Sequence, residues 1–289
     1  MRWRAPIQPT GRIAARVAHR DLTDRPRGNV EGTSLSIASF VASPSGVVVA
    51  DDFRDNLIID RHDPVFATMR ASKIKHLRSE NSEDAVTWNV FRSLGQIRPA
   101  AWFPALASVG LAGVCLLADD SIIVQLWRSV SPPPGLLRDG DEGNSEIDVI
   151  VESPNWVWFI EAKYRSDISL GTTTRPDRNQ ILRNIDVGSY YAGVRDFYFS
   201  LLVSNEKVSP VGYETVKLYK DLKFPRRALS RHRPDGLQNL QEVSVLTWAD
   251  LAEVLTIAKG AAHRSDEQGY AERAIAWLRE KGIPNGRGH

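Results

Sequence analysis

One aspartate, one glutamate and one lysine interrupt two strongly hydrophobic stretches of this 289-residue chain. Asp148 lies inside Glu146 to Glu152 (EIDVIVE), whose alternation reads as a half-buried strand. Glu161 and Lys163 lie near the end of Trp156 to Tyr164 (WVWFIEAKY), a more thoroughly apolar and so more central strand. A period of two puts Glu161 and Lys163 on the same face. A charge in an apolar strand is costly unless something pairs with it. Two carboxylates and an ammonium on adjacent strands suit a hard divalent cation. Mg²⁺ takes a few carboxylate oxygens, keeps several waters and meets substrate phosphate on its open side. The lysine would then stand beside the metal-bound water or the scissile phosphate, where positive charge stabilises a pentavalent transition state. An edge-strand ion pair between Glu161 and Lys163, worth little, is the plain alternative. The neighbours Trp156, Trp158, Phe159 and Ile160 are poor composition for an edge.

The surrounding pattern supplies the elements that must position these groups. Glu83 to Leu94 reads as a helix, with Val86, Val90 and Leu94 at helical spacing and Asn81 or Ser82 as its cap. The apolar run Ala105 to Ala118 reads as a buried helix, and at 14 residues it is too short to cross a bilayer. Ser121 to Val130 is β-branched and aromatic, a strand. The triple proline and three glycines of Ser131 to Asn144 make a loop. After the two charged strands come a helix from about Arg178 to Ala192, a buried strand at Phe197 to Ser204, and a short strand at Val243 to Leu246. Thr247 caps a helix Trp248 to Ala258, and a last helix spans about Asp266 to Lys281. Helix, three strands, helix, strand describes a mixed α/β sheet covered on both faces.

This arrangement resembles the PD-(D/E)xK nuclease superfamily, the restriction-endonuclease-like fold. The resemblance rests on Asp148, twelve intervening residues, then Glu161-Ala162-Lys163, each half ending a hydrophobic strand within the order αβββαβ, and it covers about Asn81 to Leu255. It implies that Asp148, Glu161 and the Ala162 carbonyl bind Mg²⁺, for which Mn²⁺ would substitute, while Lys163 positions or activates the attacking water. Members often carry an upstream glutamate on the first core helix; Glu83 matches, lying on the apolar stripe with Val86, Val90 and Leu94, and Glu80 is the substitute. A helix-start glutamate favoured by the macrodipole is the other account of Glu83. Gln180, on the helix after the third strand, fits a further family position. RecB-type branches carry a tyrosine four residues after that glutamine; here the residue is Asn184, so membership of that branch is not supported. The proline of the motif is missing too, since Ile147 precedes Asp148. The implied protein is a cytoplasmic, metal-dependent DNA nuclease serving restriction, phage defence or repair, with RNA left open. Double-strand cutting would favour a homodimer, and any helicase or methyltransferase would be a partner on another chain. A catalytically inactive DNA-binding module of the same fold is the alternative.

Composition narrows the remaining classes. The chain is 42% hydrophobic and 25% charged with a formal charge of +2, ordinary globular values that argue against holding DNA by bulk charge alone. The single cysteine, Cys115, rules out a disulfide framework and suggests a reducing compartment. No GxxxxGK, GxGxxG or GxSxG string occurs, so ATP, NAD and serine-hydrolase chemistry have no support. Lys217, Lys220, Lys223, Arg226, Arg227, Arg231 and Arg233 stand against Asp221 alone, a phosphate-tracking patch or a solvated basic loop. Tyr219 and Phe224 interleave with them as base-stacking or anchoring aromatics. Residues 1–68 read as a loosely structured extension to a nuclease domain at 69–289: the first 20 carry five arginines and no acid, as some transit peptides do, and a glycine- and proline-broken stretch follows. The strong patterning begins after Met69, which makes Met69 a candidate start.

Overall fold

The computed structural model describes residues 40–42, 47–111, 114, 116–134, 143–171, 178–284 and 286. Residues 1–39, Cys115 and the middle of the proline–glycine loop, 135–142, lie outside the described residues. The first described elements are strands β1 (Phe40–Ala42) and β2 (Val48–Ala50), paired antiparallel, a 3-10 turn at Phe53–Asn56, and helices α1 (Val65–Thr68) and α2 (Ala71–Leu77). Helix α3 (Glu83–Leu94) starts at its expected residue because Ser82 accepts the Ala85 N–H.

The expected boundary at residue 68 needs correction. Phe53, Leu57, Ile59 and Phe66 are buried in one cluster with Leu77, with Ala85 and Trp88 of α3, and with Trp127. Asn56 ties this segment to the residues after α2 through its side-chain amide, which donates to the Leu77 and Ser79 carbonyls at 2.9 and 2.7 Å. The Trp88 indole donates to the Ile59 carbonyl at 2.9 Å. Residues 47–68 are therefore part of the packed domain, and a chain starting at Met69 would lack part of its core. The polarity and turn residues of 47–68 hid this, since few apolar positions recur at either period.

Helix α4 (Pro99–Gly110) corrects a second expectation. It begins earlier than Ala105 and stops before Leu111. Pro99 stands at its first turn, where a missing N–H costs nothing, and Pro104 is accommodated inside it. An interior proline costs about 3 kcal/mol; burial of Trp102, Phe103 and Leu106, each 1% exposed or less, offsets it.

Then come strands β3 (Ile123–Val130), β4 (Ser145–Glu152) and β5 (Trp156–Ala162), helix α5 (Gln180–Ala192) and strand β6 (Asp196–Val203). The stretch 205–240 holds α6 (Pro210–Tyr219) and α7 (Lys223–Leu229). Strand β7 (Leu240–Thr247) leads through a Thr247–Asp250 capping box into α8 (Trp248–Ala261), and α9 (Ser265–Glu280) follows. The sheet order is β3-β4-β5-β6-β7, antiparallel over the first three strands and parallel over the last three. The domain is thus a mixed α/β fold whose five-stranded sheet is flanked by helices. One face packs Trp158 and Ile160 against α3, α4, α8 and α9; the other packs Val157 and Phe159 against α5, α6 and α7.

β5 is central and all seven of its residues are buried, so the edge-strand account of Glu161 and Lys163 does not hold. α5 lies hard against this sheet: a Cβ added at Gly188 would come within 2.2 Å of the Phe197 ring. Among the described residues no helix is long and apolar enough to cross a membrane.

The burial of residues before Met69 is testable. Leu57→Ala should destabilise the protein by about 2–4 kcal/mol in urea unfolding, the usual cost of an emptied core position. A change within error would mean that the segment is only loosely attached.

Candidate active site

The β4–β5 ladder begins with Val149 opposite Ile160, and Asp148 and Glu161 stand just beyond that pair at the end of the two strands. Asp148 Oδ2 accepts the Ala162 backbone N–H at 2.9 Å, which fixes the aspartate over the end of β5. Glu161 follows Val157 and Phe159 on the face that α5 covers, and α5 supplies its two amide donors. Gln180 Nε2 donates to Glu161 Oε1, and Asn184 Nδ2, one turn later, donates to Oε2 at 2.6 Å. Asn179 accepts the Leu182 N–H at 2.8 Å and so starts α5 where Gln180 becomes its first residue. Asn184, four residues after Gln180 on the same helix, thus orients the same glutamate.

Lys163 stands one residue past the end of β5. Its ammonium donates to Glu161 Oε1 at 2.8 Å, to the Ala162 carbonyl at 2.9 Å and to Glu83 Oε1 at 3.2 Å. Glu83 reaches the site from the first turn of α3, and its other oxygen accepts the Tyr164 N–H and the Ser166 hydroxyl, both at 2.9 Å. Glu80, the substitute considered for it, faces elsewhere: its Oε1 accepts the Val48 N–H at 2.9 Å. The five residues singled out from the sequence, Asp148, Glu161, Lys163, Glu83 and Gln180, thus meet at one place.

The electrostatics follow from crowding. Glu161 is 3% and Lys163 8% exposed; the ammonium pairs with Glu161 and Glu83, and Asp148 acts on it from nearby. Burial and the adjacent Glu161 push the Asp148 carboxyl well above the usual carboxylate range, against the opposing pull of Lys163 and the Ala162 N–H. For Lys163 burial works against the charged form, but Glu161, Glu83 and Asp148 outweigh it and raise its pKa. Lys163 therefore carries its charge at neutral pH and acts as a hydrogen-bond donor.

Whether a cation suits this place turns on the donors. Among the described residues no group of three or more His, Cys, Asp or Glu side chains forms a metal cage. The carboxylates converge on the ammonium. Mg²⁺, however, takes one or two carboxylates, retains water and uses substrate phosphate for the rest. Asp148 Oδ1 makes no hydrogen bond among the described residues, Glu161 is close enough to act on the Asp148 carboxyl, and Lys163 ties Glu161 to the Ala162 carbonyl. The donor set is all hard oxygen, and it fits such an ion once Lys163 shares or releases Glu161 Oε1.

The site opens into a cleft of about 630 Å³ whose other wall the motif search missed. Arg70, the residue just before α2, and Lys73 and His76 of α2 line it, with Asp84 of α3 and Trp127 of β3. Trp127 takes φ 52°, left-handed backbone that a bulky residue rarely adopts, between the paired residues Leu126 and Arg128. Its ring stacks on Trp88 with centroids 5.1 Å apart and planes 14° from parallel. Seven-residue α2 is too short to show a period in the sequence. Asn184 could have been found as the residue one turn beyond Gln180 on the same helix face.

The basic stretch is not gathered at this cleft. Arg233 is 6% exposed and bonds Asp186 and Asp235, so it is no phosphate ligand in this state. Tyr219 is buried and its hydroxyl accepts from Asn179 at 3.0 Å, which makes it an anchor; Phe224 is exposed. Arg226 donates to the Leu240 carbonyl at 3.1 Å. Lys217, Lys220, Lys223, Arg227 and Arg231 are exposed on α6, on α7 and beside them.

Two measurements probe the charge balance. A carboxyl whose folded pKa is raised binds its proton more tightly in the native state, so its penalty appears as pH rises past the ordinary carboxylate range. Asp148→Asn should therefore raise the thermal midpoint of the metal-free protein at pH 8 by a few degrees, with the gain fading towards pH 4; an unchanged or lower midpoint at pH 8 contradicts the raised pKa. Lys163→Met removes the internal cation. It should unfold at lower temperature in EDTA, recover on adding Mn²⁺, and bind Mn²⁺ several-fold tighter than wild type by calorimetry. Weaker binding would show that the ammonium does not compete for those oxygens.

Neither protein-family models, nor curated proteins, nor solved structures gave a match to this chain.

Proposed function

We propose that this chain is a divalent-metal-dependent nuclease of the PD-(D/E)xK, restriction-endonuclease-like class that hydrolyses phosphodiester bonds in DNA. The observation that carries the reading is the convergence of Asp148, Glu161 and Lys163 on adjacent central strands, with Glu83 arriving from the preceding helix. Supporting it are the antiparallel three-strand meander followed by helix and parallel strand, and the two amides from α5 on Glu161. Backbone strain at Trp127, which lines the same cleft, is of a kind that collects at functional sites.

In this reading Asp148, Glu161, the Ala162 carbonyl and Glu83 would hold Mg²⁺ or Mn²⁺. The ion would supply Lewis-acid polarisation of the phosphate and a more acidic water. The chain's own residues divide the remaining work. Gln180 and Asn184 clamp both oxygens of Glu161, so that the carboxylate has one orientation and no rotamer search at the moment of reaction. The Ala162 N–H does the same for Asp148. Lys163, held charged by the surrounding carboxylates, has its three N–H donors on Glu161, Glu83 and the Ala162 carbonyl; the donor released from Glu161 would turn toward the attacking water or the non-bridging phosphate oxygens, where it offsets the negative charge of the pentavalent state. Glu83 keeps the ammonium at that place and pins the turn after β5 through Tyr164 and Ser166.

One observation favours a second reading, a non-catalytic DNA-binding module of the same fold. The ammonium satisfies the oxygens that a cation would need, so the cluster is self-neutralised without one.

Cleavage decides between them. Purified protein should cut linear or circular DNA with Mg²⁺ or Mn²⁺ and not with EDTA. Asp148→Ala and Lys163→Ala should each lose at least about a hundredfold in rate, in line with removal of a transition-state charge contact. Asn184→Ala, which loosens Glu161, should lose roughly tenfold, the effect of removing a ligand-orienting partner. Binding without cutting would select the second reading.

A further inference from the structure

A polyanion can approach a pair of carboxylates such as Asp148 and Glu161 only where nearby cations offset them. The cleft over Asp148, Glu161 and Lys163 has such cations on one wall. Arg70, just before α2, and Lys73 and His76 of α2 line it, and Arg70 and His76 are exposed. Lys73 crosses the opening: its ammonium is 3.3 Å from Asp84 of α3, hydrogen-bonds Glu146 of β4, and lies 4.4 Å from the centre of the Trp127 ring. Glu146 and Asp148 are two residues apart on β4, so Lys73 reaches the strand that carries the reacting aspartate. The Glu146 side chain is 55% exposed. An ion pair that open to solvent is weak, and phosphate oxygens can take the place of Glu146 without leaving a buried charge unpaired. The wall itself is anchored, because Leu77 is fully buried and Asn56 holds the end of α2.

The 217–233 stretch has neither advantage. Lys217 and Lys220 line a separate cavity beside β7, the far edge of the sheet from β3, together with Glu206 and Glu242.

We propose that α2 is the backbone-contacting wall of the cleft, where Arg70, Lys73 and His76 hold the phosphates of a DNA strand over Asp148, Glu161 and Lys163, and that the 217–233 stretch does not contribute. This rests on the nuclease reading for its substrate, but its test is binding in EDTA, where cleavage plays no part.

The experiment is fluorescence anisotropy of the full chain with a short labelled DNA single strand and its duplex, titrated over a range of NaCl. Each phosphate contact contributes about 0.7 to the log–log salt slope on single strands and about 0.9 on duplex. Arg70→Ala/Lys73→Gln should weaken binding by about tenfold or more at low salt and lower the slope by about 1.4 on the single strand or about 1.8 on the duplex. Because Lys73 also has structural contacts, Arg70→Ala/His76→Gln is the second variant; both residues are exposed, its thermal midpoint should match wild type, and it should lower the slope by about 1. Lys220→Ala/Lys223→Ala/Arg227→Ala should bind as wild type does. The proposal is overturned if the α2 variants keep the wild-type slope, if the 217–233 variant takes the loss, or if wild type binds neither probe. A wild type that cuts DNA while its α2 variants bind and cut normally would sink this assignment and leave the nuclease reading standing. Binding through α2 with no cutting in Mg²⁺ or Mn²⁺ would do the reverse.

Discussion

One fully buried carboxylate, two half-buried ones and a buried ammonium are gathered at the end of β5, and much of the surrounding structure follows from that. An isolated carboxylate at such a depth would cost several kcal/mol. Here each is met by specific donors: Asp148 by the Ala162 N–H, Glu161 by Lys163, Gln180 and Asn184, and Glu83 by Lys163, Tyr164 and Ser166. Those donors come from three directions, so the strand, the helix over it and the start of α3 must all be in register together. Removing Asn184, the donor to Glu161 Oε2, leaves a buried oxygen unsatisfied, which costs more than the bond itself contributed.

The packing supplies that register. Gly188 lets α5 approach the sheet until its backbone meets the Phe197 ring, and this brings Gln180 and Asn184 within reach of Glu161. The Ser82 cap fixes where α3 begins and hence where Glu83 stands. On another side of the cleft, Phe66 of α1, Trp88 of α3 and Trp127 of β3 form an aromatic cluster that also buries Leu77 of α2. That cluster requires Trp127 to adopt a left-handed backbone in mid-strand, a cost of order 1–3 kcal/mol offset by burial of its ring. Residues from before Met69 are therefore as much a part of the cleft as the strands are.

A second buried charge cluster explains why part of the basic stretch is not available to a ligand. Asp186, fully buried in α5, is bonded by Arg233 at 3.0 Å and His232 at 2.7 Å, with Arg178 also 3.0 Å away. These bonds fasten the segment after α7 to the helix that carries Gln180 and Asn184, and they hold the Asp186 carboxyl below its usual range despite burial. Charge counted along the sequence overstates surface charge wherever a cation has an interior partner.

Amino-acid order alone located the central elements of the sheet and the charged groups that cluster at its end. Periodicity located α3, β4, β5 and α5 within a residue or two, because each has a strongly one-sided apolar pattern and a recognisable cap or turn. The two-residue spacing of Glu161 and Lys163 settled their common face, since strand alternation is local geometry. Three things were decided only by tertiary structure. Burial of Phe53, Leu57, Ile59 and Phe66 brought residues 47–68 into the domain, and contacts between segments with no period of their own leave no mark on local pattern. Burial of Trp102 and Phe103 carried α4 through Pro104, where local propensity alone would start it later. The pairing of Arg233 with Asp186, and of Lys73 with Asp84 and Glu146, depended on residues 47 to 73 positions or 11 positions apart meeting in space. Spacing along a chain constrains what lies on one strand or helix; which charges meet across elements depends on how those elements pack.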